Sequence, residues 1–179
     1  MNLLQLLSEA ARGAEIITQF LSTSLLPLLL IIAGAGDALS LRIPNWLTAA
    51  TALLFVPMAF ATGMPLDLFG IHLLTGLVLF VAGFCLFAAG LFGGGDAKLL
   101  AAAGLWFGWP QTMPFLVFTV LAGGALAAIV FAWSAFAMSS EIHGASWAKR
   151  IAQIKPDVPY GYAFAAGAIL AFPESWWMR

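Results

Sequence analysis

Residues 68–92 read LFGIHLLTGLVLFVAGFCLFAAGLF, twenty-five positions without a charged side chain. At ~1.5 Å rise per residue, such a run crosses a ~30 Å hydrocarbon core as one helix. This stretch makes the chain a membrane protein. The composition agrees, with 63% hydrophobic and only 8% charged residues, where soluble domains carry about 25% charged residues. Apolar runs fill most of the 179 residues, so one membrane domain is expected. The net charge of -1 gives no basis for a nucleic-acid partner.

Similar runs lie on both sides. Upstream are 16–36, with Pro27 inside, and 45–62, with Pro57 near its far end. Downstream are 97–113, 115–138 and 159–177, the last ending on Trp176 and Trp177, which are expected to anchor an interface. Ala97–Trp109 has only 13 residues before Pro110, about 20 Å as a helix, so a short or tilted span reaching 113 is expected. Residues 1–15 carry Glu9, Arg12 and Glu15 without a basic cluster, which does not read as a cleaved signal. Leucines at 3, 4, 6 and 7 suggest instead an interfacial segment over 1–15, followed by a membrane domain over 16–179.

Charge placement orients the chain. With six spans and the N-terminus outside, segments 37–44, 93–98 and 139–158 face the cytoplasm. They hold Arg42, Lys98, Lys149, Arg150 and Lys155, five of the seven basic residues, as the positive-inside bias requires. The expected fold is therefore an all-α, six-transmembrane-helix bundle with both termini on the non-cytoplasmic side. Gly76, Gly83 and Gly90 recur every seven residues, a stripe for close helix packing, and Gly123 and Gly124 suggest the same for the fifth span. Cys85 reads as a small buried hydrophobe. His72 and His143 lack ligand-like spacing, so neither points to a metal.

Two of the eight acidic residues stand apart, because Asp37 and Asp96 each abut a long apolar segment. Both fall at the cytoplasmic face in this topology, so they can meet. Two close, partly desolvated carboxylates do not both ionise easily near neutral pH and share a proton. That is the working state of an aspartic protease. Spacing alone also admits plainer roles: Asp96 as a helix cap, and Asp37 as an interfacial charge paired with Arg42. Gly93, Gly94 and Gly95 exceed what a cap requires and permit close backbone approach. Pro44 and Asn45 are suited to start the second helix, Asn45 as its cap. Lys98, two positions past Asp96, is expected to snorkel toward lipid phosphates. Helix dipoles would favour the anion on Asp96, near a helix N-terminus, and the proton on Asp37, near a C-terminus.

At these residues the sequence resembles the type IV prepilin peptidases, a group of GxGD membrane aspartyl proteases. Asp37, five residues and then Ile43-Pro44-Asn45 match one motif, and Gly93-Gly94-Gly95-Asp96-Ala97-Lys98-Leu99-Leu100-Ala101-Ala102 resembles a second. Val158-Pro159-Tyr160-Gly161, running to Gly167-Ala168, is similar to the opening of the family's last span, with Tyr162 where a proline is common. The resemblance implies a peptidase of the bacterial cytoplasmic (inner) membrane that removes leaders from pilin or pseudopilin precursors. Asp37 and Asp96 would be catalytic and Gly93, Gly95, Lys98, Pro44 and Asn45 supporting, with no cofactor or metal, membrane lipid as surroundings and no nucleic-acid partner. Long members carry an insert with paired cysteines associated with N-methylation. This chain has only Cys85, as in short members serving tight-adherence (Flp) pili, so peptidase activity alone is implied. Rival readings are a small proton-coupled transporter, an inactive pilus-assembly membrane protein and, below these, a presenilin-like protease. The transporter would require polar residues along the spans, and these are nearly absent. Segment 139–158 suggests an interfacial helix on anionic lipid, or else a gate or leader-binding surface.

Overall fold

The computed structural model describes residues 2–40, 42–139 and 160–178, and every regular element among them is helical. These are α1 (Leu3–Ser40), α2 (Asn45–Ala61), α3 (Leu66–Ala88), α4 (Gly94–Phe107), α5 (Thr112–Ser139) and α6 (Tyr160–Ala171). Two 3-10 turns follow, Phe172–Glu174 and Trp176–Met178. Segment 139–158, apart from Ser139 at the end of α5, lies outside the described residues, as do Val158 and Pro159.

Three helices, α1, α3 and α5, are long and apolar enough to cross a membrane. The others are shorter: 17 residues in α2, 14 in α4 and 12 in α6, about 26, 21 and 18 Å at helical rise. Burial shows where two of the short ones belong. Eight of the α4 residues and seven of the α6 residues are buried, whereas α3 and α5 present mostly exposed leucine, valine and phenylalanine. The long helices thus shield α4 and α6. Helix α4 packs chiefly on α3 and α2, and α6 chiefly on α1 and α5. The chain forms two trios, which meet through contacts of α1 with α2 and of α4 with α6.

Several boundaries differ from the sequence expectation. Residues 3–15 and 16–36 belong to one helix, and that helix runs past Asp37 to Ser40. Ala38 and Leu39 continue it, and the Ser40 hydroxyl donates to the Gly36 carbonyl at 2.8 Å. Asp37 therefore sits on a helix and not in a loop. The third span stops at Ala88, because Gly90 takes φ +72 and turns the chain toward Gly93. Only glycine adopts that conformation without a Cβ penalty. Gly90 is thus a turn residue, and the packing stripe consists of Gly76 and Gly83, which face Leu105 and Ala97 of α4. Gly123 faces Ala163 and the Tyr160 ring, while a Cβ on Gly124 would meet nothing within 4 Å among the described residues. Helix α4 stops at Phe107 instead of reaching 113, since Gly108 has φ +60. Cys85 is exposed on α3, not buried.

The largest correction concerns Trp177, which is 2% exposed and belongs to the core, not to an interface. The two 3-10 turns fold it back against Trp106, Phe55 and His72. A buried indole needs a hydrogen-bond partner, and both have one. The Trp177 Nε1–H donates to the Trp106 carbonyl at 2.5 Å, and the Trp106 Nε1–H to the Thr51 carbonyl at 2.8 Å. His72 is stacked on Phe55 and lies 2.6 Å from the Leu105 carbonyl through Nδ1. A carbonyl only accepts, so Nδ1 carries the hydrogen. Gln19 of α1 donates to the Trp177 carbonyl at 3.0 Å. The C-terminal turn thereby ties α1 to the α2–α3–α4 trio.

Candidate active site

At the end of the bundle away from Trp177, α1, α4 and α6 converge. Asp37 comes from the last turn of α1 and is 7% exposed. Its Oδ2 accepts the backbone N–H of Gly161, second residue of α6, at 2.9 Å. Asp37 is thus held by a backbone amide, and Arg42 is exposed. The approach of α6 to α1 at this point depends on two glycines. A Cβ on Gly161 would lie 2.8 Å from Gly34 Cα and 2.9 Å from Asp37 Cβ.

Asp96 lies in the first turn of α4, where Gly93 is the N-cap residue and no side chain caps the helix. Its Oδ1 is buried without a hydrogen-bond partner. Burial, and then the neighbouring Asp37 carboxylate, push the Asp96 carboxyl up from 3.8 to about 6, against a smaller opposing effect of the Gly93 amide. The two carboxylates, 59 positions apart in sequence, are within electrostatic reach of each other. Among the described residues no basic group contributes to the shift. The direction of this shift is opposite to the expectation from the helix ends, which put the proton on Asp37: burial of Asp96 and repulsion from Asp37 act against the field of the helix.

The surrounding residues take specific places. A Cβ on Gly93 would stand 2.5 Å from Asp96 Oδ2, so this glycine leaves room for the carboxylate itself. Gly95 leaves room for Ile43, whose Cβ lies 3.1 Å from where a Gly95 Cβ would be. The buried Ile43 thereby clamps the loop after α1 onto the start of α4. Pro44 occupies the N-cap position of α2, and its carbonyl accepts the Leu47 amide at 3.0 Å. Asn45 opens α2 but does not cap it: its Oδ1 accepts Lys98 Nζ at 2.9 Å. Lys98, itself exposed, thus ties α4 to α2.

Two apolar recesses border these residues. One, of ≈ 470 Å³, lies between α2, α3 and α4 and has Asn45 and Lys98 in its lining. The other, of ≈ 390 Å³, lies between α3, α5 and α6 and is lined by Phe92, Leu100, Thr119, Tyr160 and Phe164 among others.

The model of the type IV leader peptidase family matches residues 24–140, more than half of the chain. The chain belongs to that family. It is accordingly a membrane protein of the leader-peptidase type. Neither a curated protein nor a solved structure matches it. The match takes in Asp37, Asp96 and the recess beside Lys98, whereas Gly161 lies beyond it. Reasoning from sequence gave Gly161 a place in a motif but no role, and it passed over Gly34 and Ile43 as functional neighbours. The signal available was the Tyr160-Gly161 opening of the last apolar run; its partner across 124 positions was not readable.

Proposed function

We propose that this leader peptidase is an aspartyl endopeptidase that removes the leader from type IV pilin precursors at the cytoplasmic face of the bacterial inner membrane. Asp37 and Asp96 activate the attacking water. The observation that supports the reading is the electrostatic coupling of the two carboxylates: one is buried on α1 and held by an amide, and the other is raised to about 6 with an unpartnered buried oxygen. One proton shared by such a pair lets the charged carboxylate take a proton from water. The protonated one donates to the scissile carbonyl oxygen. The unpartnered Asp96 Oδ1 is free to engage water or substrate.

The chain crosses the membrane six times with both termini outside. Five of seven basic residues then face the cytoplasm together with Asp37 and Asp96. The apolar recess lined by Asn45 and Lys98 suits the hydrophobic segment that follows a pilin leader. With Cys85 its only cysteine, the protein is a peptidase without methyl transfer, as in the short forms of tight-adherence pilus systems. The test is cleavage of pilin precursors in bilayers by the native protein and by the Asp37→Asn and Asp96→Asn variants. Cleavage lost in both variants supports the pair, and cleavage surviving either substitution rejects it.

A further inference from the structure

We infer that the start of α6, through the Gly161 N–H, fixes Asp37 as the charged base and leaves Asp96 as the residue that holds the shared proton. This rests on the aspartyl reading above and adds what that reading leaves open, the separate role of each carboxylate.

Three observations meet here. Gly161 is the second residue of α6, so its amide lacks an intrahelical acceptor and donates to Asp37 Oδ2 at 2.9 Å. An N–H at a helix start stabilises a carboxylate, both as a hydrogen bond to a charged acceptor and through the field of the helix. The position of Asp37 in the last turn of α1 would by itself disfavour the anion, and α6 supplies the opposing field. Second, the contact is built into the packing. The Cβ positions of Gly34 and Gly161 would each fall within 3.0 Å of the other's backbone, so two glycines are what allow the amide to reach Asp37. Third, the other carboxylate has the opposite surroundings. Asp96 Oδ1 is buried with no hydrogen-bond partner among the described residues, and burial and the Asp37 charge favour its protonated form over the smaller opposing effect of the Gly93 amide. Among the described residues, the other charged and titratable groups near the pair are engaged or turned elsewhere: Lys98 is engaged by Asn45, Arg42 is exposed, and Tyr160 turns its ring toward Phe92.

The reaction then runs with fixed directions. Asp37 takes a proton from water while the water oxygen bonds to the scissile carbonyl carbon. Asp96 gives its proton to the carbonyl oxygen, forming a neutral geminal diol. On collapse the C–N bond breaks, Asp37 returns its proton to the departing nitrogen, and Asp96 recovers one from a diol hydroxyl. Water is the only co-reactant. Gly161 touches neither water nor peptide, and acts by positioning Asp37.

Two measurements test the inference. The first is carboxyl infrared titration of the native protein in bilayers, with Asp37→Asn and Asp96→Asn identifying the bands. The first proton taken up on acidification belongs to Asp96, and its band disappears in Asp96→Asn alone. A first proton on Asp37 overturns the inference. The second replaces the Gly161 amide by an ester, introducing glycolic acid at that position by nonsense suppression, which removes the N–H and adds no atom. The acid limb of the cleavage profile moves up by about one to two pH units, the loss of one hydrogen bond to a charged group. A folded ester protein with an unmoved acid limb overturns the inference. Failure of the aspartyl reading looks different: the native-backbone protein would keep cleaving after Asp37→Asn or Asp96→Asn.

Discussion

Replacing Asp96 by Asn removes the proposed chemistry and, on the electrostatics of the site, stabilises the fold. The carboxyl is raised from 3.8 to about 6 by burial and by Asp37. The folded protein therefore binds the Asp96 proton more tightly than the unfolded chain. The stability that comes from this preference is complete below pH ~4 and is lost as pH rises through ~6. At 1.36 kcal/mol per unit the full shift is about 3 kcal/mol, and because Asp96 is only partly buried solvent screening brings it to about 1–2 kcal/mol. Asparagine mimics the protonated acid in shape and is never charged. The expected result is equal stability of the two proteins near pH 4, with Asp96→Asn ahead by about 1–2 kcal/mol at pH 7.5. Reversible unfolding by steric trapping in bicelles, run from pH 4 to 8, reads this difference directly. A gap that is absent at pH 7.5, or that does not change with pH, refutes the reasoning.

Further expectations concern the neighbours. If the pair must hold one proton to act, kcat/KM of the native protein falls about tenfold per pH unit above about 6, the value to which Asp96 is raised. Lys98→Met leaves that limb in place, because Lys98 does not contribute to the Asp96 shift, and it lowers stability by less than about 1 kcal/mol, since the tie to Asn45 is exposed. Gly93→Ala places a Cβ 2.5 Å from Asp96 Oδ2 and turns that carboxylate away, lowering kcat at least ~10-fold while the protein keeps its native helix content by circular dichroism. Trp177→Ala empties a buried site and strips the Trp106 carbonyl of its partner, a loss of about 3–5 kcal/mol in the same unfolding assay.

The helical membrane class was readable from the sequence because one uncharged run of twenty-five residues admits little else. That Asp37 and Asp96 lie within electrostatic reach was readable as well: two membrane-edge carboxylates on one side of a bundle have few ways to avoid each other. Local signals failed where tertiary contacts decide. The tryptophans at 176 and 177 carry the composition of an interfacial anchor, and only the fold-back of the last turns shows that Trp177 fills the space between Phe55, His72 and Trp106. Asn45 has the chemistry of a cap, yet Lys98 reaches its side chain from across 53 positions. The proton asymmetry was assigned from helix ends in α1 and α4. The opposite order proposed above rests on burial, on repulsion between the carboxylates and on an amide from a third helix, none of which a linear reading contains.

The central claim is that Asp37 and Asp96 cut pilin precursors as a pair. Its most direct test is cleavage of a pilin precursor by the purified protein in bilayers, with peptide products mapped by mass spectrometry for the native chain and both Asp→Asn variants. The account predicts one cut at the leader junction by the native protein and none by either variant. A cut that survives Asp37→Asn or Asp96→Asn, or a folded native protein that leaves every precursor whole, would contradict it.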